Sequence, residues 1–155
     1  MPGSLPHVKH GPDSYQVSAQ VLGGQLVVAD ASPATTVSVA GAGSSSHGAL
    51  NVLGVAGNDA APIPNQAGDT TGYGQPLVDI SVLPDYVSVY HGADMHVTYA
   101  IDCDFGTLLK SAASGKVTPW VSGTDTLAET IIGRCTQPGG VVVATNVVGR
   151  ARIFG

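Results

Sequence analysis

The residues whose types could do chemistry are few, and each cluster lacks part of what its chemistry needs. His91-Gly92-Ala93-Asp94-Met95-His96 sets two imidazoles and a carboxylate close together, and these are suitable ligands for a zinc-like ion. Across a tight turn between strands, however, His91 and His96 do not converge on one point, and no His-x-Glu-x-x-His helix holds them. A polar turn is expected there. His7 and His10 sit in a segment with no scaffold to fix them. Asp102-x-Asp104 offers two carboxylates, but calcium needs further oxygen ligands at regular spacing; a turn entering Phe105-Gly106 accounts for the pair. Ser44 to Ser46 beside His47 lacks the Gly-x-Ser-x-Gly elbow of a hydrolase. Ser114-Gly115-Lys116 runs into Val117 without the upstream glycines of a phosphate loop, and Gly41-x-Gly43 lacks the third glycine of a dinucleotide site. No catalytic, metal or cofactor-binding residue is assigned, no cofactor is expected, and the chain is not read as an enzyme.

The remaining candidates are residues of contact. Trp120, the single tryptophan, follows Pro119 and precedes a glycine-rich turn, a place that suits a core rim or an interface anchor. Arg150 and Arg152 alternate with Ala151 and Ile153, so on a strand they share one face, either solvated or ion-paired. Cys103 and Cys135 make no disulfide framework. They are expected as buried free thiols, with a single bond between them as the alternative.

Short strands must position these residues. Tyr15, Val17, Ala19 and Val21 alternate with polar neighbours, the period of a half-buried strand. Gly23-Gly24 turns the chain, and Gln25 to Ala29 reads as the partner strand. Thr35 to Ala40 alternates again, and Ala49 to Ala56 follows a loop of Gly and Ser. The connection 60–75 is rich in Pro and Gly and long for a compact domain. Residues 77–101 read as a β-meander through Val78, Ile80, Val82, Val87, Val89, Met95, Val97 and Tyr99. Thr107 to Lys110 and Lys116 to Trp120 form a hairpin about Ser114-Gly115. Thr126-Leu127-Ala128-Glu129 matches a capping box, yet the β-branched run behind it limits the segment to one helical turn. Val141 to Val143 and Val147 to Phe154 close the chain as strands.

Two stretches echo each other. Gly24-Gln25-Leu26-Val27 leads to Asn51-Val52-Leu53-Gly54-Val55-Ala56, and Gly106-Thr107-Leu108-Leu109 leads to Thr130-Ile131-Ile132-Gly133-Arg134-Cys135. The glycine within each second strand predicts a bulge or a close backbone approach. Residues 1–14 are unlike the rest: Pro2, Pro6, Pro12, Gly3 and Gly11 leave no periodic face, and they read as an extended N-terminal arm before a single β-domain over 15–155. The fold class is thus all-β, a barrel or sandwich domain of about ten short strands.

Composition agrees. Of the 155 residues 43% are hydrophobic but only 11% are charged, against about 25% in an ordinary soluble domain. Such a surface of Thr, Ser, Ala and Gly suits a protein covered by subunit contacts. The formal net charge of -5 opposes nucleic-acid binding, which needs clustered Lys and Arg. No segment has the apolar length of a membrane span, and Met1 to Pro6 carries no secretory signal pattern, so synthesis in a reducing cytoplasm is expected.

The succession Gly23-Gly24-Gln25-Leu26-Val27, Val52-Leu53-Gly54-Val55-Ala56, Gly106-Thr107-Leu108-Leu109, Gly115-Lys116-Val117-Thr118-Pro119, Thr130-Ile131-Ile132-Gly133-Arg134 and Val147-Val148-Gly149-Arg150-Ala151-Arg152-Ile153 resembles the capsid decoration, or cement, proteins of tailed bacteriophages, over residues 20–155. The resemblance implies a compact β-barrel or β-tulip domain, commonly a homotrimer, on the outer head surface at three-fold or quasi-three-fold positions. It implies the major capsid protein as partner, the virion as location after synthesis in the bacterial host, and neither nucleic acid nor membrane as partner. On this view Leu5, Pro6, His7, Val8, Tyr15, Trp120, Arg150 and Arg152 are the candidate capsid or subunit contacts, with the arm strapping onto a capsid edge. The alternatives are another virion part (tail tube or fibre base), a carbohydrate-binding or adhesive β-domain that would use Tyr73, Tyr86 and Tyr90, and a trimeric β-fold nucleotide hydrolase. The last is disfavoured by a single glutamate, Glu129, and the missing phosphate loop.

Overall fold

The computed structural model describes residues 12–30, 35–41, 52–62, 83–125 and 128–154. Among them β-branched residues dominate the ordered segments, and the chain forms ten strands and no α-helix. The first five are β1 (Asp13–Val17), β2 (Leu26–Ala29), β3 (Thr36–Val39), β4 (Val52–Ala56) and β5 (Tyr86–Tyr90). They close into a barrel in the order β1-β3-β2-β4-β5. The β1–β3 pair is parallel and the rest are antiparallel. Because side chains alternate along a strand, Val17, Val27, Val37, Val87 and Val89 fall inside and form a buried cluster with Val21, Ala56 and Ala60.

The second five are β6 (Asp94–Thr98), β7 (Leu108–Ser111), β8 (Val117–Pro119), β9 (Gly133–Cys135) and β10 (Val148–Ile153), in the order β6-β10-β9-β7-β8. These form a five-stranded sheet whose order repeats the first barrel's cycle, and one isolated bridge between its end strands rolls it into a second barrel. Where β1 runs parallel to β3 through Val17 and Val37, a parallel bridge joins Tyr99, just past β6, to Val117 of β8.

Individual bonds confirm the repetition. The Val17 N–H donates to the Asp85 carbonyl at 2.9 Å, and the Tyr99 N–H to the Val147 carbonyl at 2.7 Å. Gly24 donates to Ala56 at 2.8 Å and Gly106 to Cys135 at 2.9 Å; Ala40 donates to Leu26 at 2.9 Å and Trp120 to Leu108 at 2.7 Å. Isolated bridges join Val21 to Ala60 and Cys103 to Val141. Even a side-chain contact recurs: the Asn58 amide oxygen accepts from the Ser88 N–H at 2.9 Å, and the Gln137 amide oxygen from the Arg150 N–H at 3.1 Å. Gly24 and Gly106 both turn the chain at positive φ, +84° and +82°, where a side chain would be strained. The glycines predicted to mark close approaches do so. A Cβ at Gly54 would collide with the Tyr90 carbonyl, and one at Gly133 with the Arg152 carbonyl.

The interiors correspond as well. Val17, Val21, Val27, Val37, Ala56, Ala60 and Val89 are matched by Tyr99, Cys103, Leu109, Val117, Cys135, Val141 and Ala151, all in one buried cluster. Val87 is matched by Gly149, and the missing volume is filled by its neighbour: a Cβ there would meet Tyr99 and Val141. The two cysteines thus stand where the first barrel has Val21 and Ala56, as free buried thiols.

The barrels share a seam. Leu26, Ala40 and Val55, on the outside of the first, belong to the cluster that fills the second, alongside Val97 and Tyr99. Backbone bonds fix the fit: Thr98 donates to Gly24 at 3.1 Å and Gly115 to Ala40 at 2.7 Å.

Several expectations change in detail. β5 and β6 do not pair with each other as a meander over 77–101 implies. The chain crosses at 91–93 from one barrel to the other, with the Gly92 N–H held by the Ile153 carbonyl at 3.0 Å. The earlier part of that meander, with Val78, Ile80 and Val82, lies outside the described residues, as does most of the 60–75 connection. Val141 to Val143 is reduced to a single bridge, because the Asp102 carboxylate takes the Val143 N–H at 2.8 Å and the chain turns. The capping-box segment yields one 3-10 turn, Ala128–Thr130. The expected arm is described only from Pro12, and Asp13 and Ser14 already belong to β1.

Candidate interaction surface

Strand alternation in the second barrel turns Asp94 and His96 of β6, Arg134 of β9 and Arg150 and Arg152 of β10 outward, all exposed. In register, Arg150 lies opposite His96, and Arg152 lies between Asp94 and Arg134. All three arginines of the chain therefore share one sheet face. Arg152 reaches the Asp94 carboxylate at 3.2 Å, and this guanidinium holds the Asp94 carboxyl below its ordinary value. Arg134 directly opposes Arg152, and like charges facing across strands are locally unfavourable. Lys110 pairs with Asp125, whose carboxyl is lowered first by that ammonium and then by the Val121 N–H.

Beside the arginines the face becomes apolar. Leu108 lies opposite Arg134 and is 37% exposed; Val121 is exposed too. Trp120 is half-buried between them in sequence, and its indole N–H is buried without an acceptor.

Of the residues predicted from sequence, Arg150 and Arg152 are brought together, with Arg134 added. Trp120 lies after β8, and Tyr15 lies on β1, half-buried against the first barrel's core. Those two stand on different barrels. Leu5, Pro6, His7 and Val8 lie outside the described residues. Arg134 has a signal in the sequence that motif reading passes over. No lysine or arginine stands between Lys9 and Lys110, while nine of the eleven acidic residues do. Three of those nine, Asp94, Asp102 and Asp104, belong to the second barrel; the described residues of the first are acidic without Lys or Arg, and the second gathers the positive charge beside an equal number of acidic residues.

The described residues hold no cluster of three or more His, Cys, Asp or Glu placed to bind a metal. An open cleft of about 280 Å³ lies between the barrels, lined by Gly24, Gly57, Asp94 and His96 among others. It presents glycine backbone and one ion-paired carboxylate.

No known protein family matches the chain, and no curated protein does. Among solved structures, the head fibre gp8.5 N base of bacteriophage phi29 superimposes with a TM-score of 0.54 at 14% identity, covering 91% of each chain. The two share a fold. Because almost the whole length of both is covered, the likeness spans both barrels.

Proposed function

We propose that this chain is a structural component of a tailed-phage particle, a base seated on the outside of the head that binds the major capsid protein and assembles as a homotrimer. The observation that supports it most is the shared fold with a phage head-fibre base over 91% of both chains. The covered-surface composition and the exposed face of arginines beside apolar residues fit the same role, since interface cores favour Trp and Arg. Function here rests on contact area between subunits, multiplied by symmetry.

A base for an attached fibre fits the fold likeness more directly than a cement that stiffens the shell. Both roles need binding to heads, and they separate on what binding does. Purified chain is incubated with heads lacking their surface proteins and imaged by electron microscopy. Saturable density on the outer surface is expected; no density at saturating concentration would sink the proposal. A rise in the temperature at which heads rupture would favour cement, and unchanged rupture with fibre attachment would favour a base.

A further inference from the structure

The duplicated architecture leaves one contact made inside the chain and its equivalent unmade. In the seam, Leu26, Ala40 and Val55 of the first barrel are fully buried at 0% exposure against the cluster containing Val97, and Met95 packs there too. The equivalent outer residues of the second barrel are Leu108, Trp120 and Arg134, matched by the corresponding hydrogen bonds and glycines. Leu108 and Arg134 are exposed and Trp120 is half-buried. On the receiving side, Val97 and Met95 correspond to Tyr15 and Asp13 of β1. Val97 is at 0% exposure because the first barrel seals it, whereas Tyr15 is only half-buried and Asp13 is exposed.

We infer that a second copy of this chain supplies the missing contact: Leu108, Trp120 and Arg134 of one copy seat on Tyr15 and Asp13 of the next, repeating the internal seam between molecules. Charge agrees with this occupant. At the equivalent positions, Val55 and Met95 inside the chain are replaced by Arg134 and Asp13, an opposite pair. The acidic first barrel meets the face that gathers all three arginines, which suppresses wrong pairings and fixes register. The contact is head-to-tail, so it propagates until it closes in a ring. The inference rests on the self-association proposed above and names its surface. With three copies the ring would hold six similar barrels about a pseudo-six-fold axis.

The test uses the full chain in sedimentation velocity over a concentration series, beside the head-binding assay. Arg134→Asp alone and Asp13→Arg alone are each expected to raise the dissociation constant at least about tenfold, and the two combined in one chain to restore it. Both side chains are exposed, and restoration by the pair shows that the singles fold. Assembly unaffected by either single change would overturn the inference while leaving self-association standing. A pair that fails to restore would overturn it too. So would a wild-type chain that is monomeric throughout and loses head binding on Arg134→Asp, since the face then docks the shell protein. Normal assembly without head binding would leave this contact intact and remove the proposed function.

Discussion

Tyr99 and Gly149 show how one interior can be filled in two ways. The first barrel uses Val17 and Val87 where the second uses a large residue and none, and the Tyr99 hydroxyl donates to the Arg150 carbonyl at 3.0 Å. Gly149→Val alone overpacks the site and is expected to cost about 2–3 kcal/mol in urea unfolding. Combined with Tyr99→Val it is expected to cost less than the sum of the two single changes, by about 1 kcal/mol or more. Gly133→Ala has no such relief, because its clash is with backbone; a loss of about 2 kcal/mol or more is expected by the same measurement. Cys103 is a second case. Burial, reinforced by Cys135, pushes its thiol up from 9.0 to about 12. An acid whose folded pKa is raised contributes stability that is complete below its unfolded pKa and lost as pH rises through the folded one. The melting temperature is therefore expected to fall between about pH 9 and 12, less steeply in Cys103→Val, which installs the residue the first barrel carries at Val21. An equal fall in both proteins would refute the assignment.

At the scale of strands, alternation made most of the architecture legible. β2, β3, β5, β7, β8 and β10 lie within one or two residues of their expected places, because one face of each is buried and the period survives. The run Val141 to Val143 misled because three apolar residues cannot announce that a distant carboxylate, Asp102, will take the next donor. The pairing of β5 with β6 misled for a different reason: a short link between strands favours a hairpin, and only the closure of each barrel on its own strands overrides it. The echo around Gly54 and Gly133 was visible, but its extent was not, since equivalent positions such as Val17 and Tyr99 share burial rather than identity. The ion pair of β6 and β10 is solvent-exposed, so Asp94→Asn is expected to leave the thermal unfolding midpoint almost unchanged. A larger loss in thermal unfolding would mean that Arg152 organises the face.

At the scale of the molecule, charge is divided unevenly: the described residues of the first barrel carry acidic side chains and no Lys or Arg, while the five Lys and Arg from Lys110 onward all stand on the second, beside an equal number of acidic residues. Motif reading found Arg150 and Arg152 but not Arg134, because the third member arrives from another strand and only sheet register sets it beside them. Self-association through this face is expected to weaken as salt rises, since exposed charges are screened beyond about 8–10 Å at physiological ionic strength. Sedimentation at low and high salt measures it, and a salt-independent dissociation constant would assign the contact to Leu108 and Trp120 alone.

Trp120 adds a practical corollary. It is the sole indole in the chain, and its ring nitrogen is shielded from water yet bonded to nothing. Excited at the long-wavelength edge of the aromatic band, where the five tyrosines do not absorb, this protein emits from a single fluorophore lying on the surface through which copies are inferred to meet. Dilution would shift its colour as partners depart, so the polypeptide carries its own optical gauge of assembly and needs no dye.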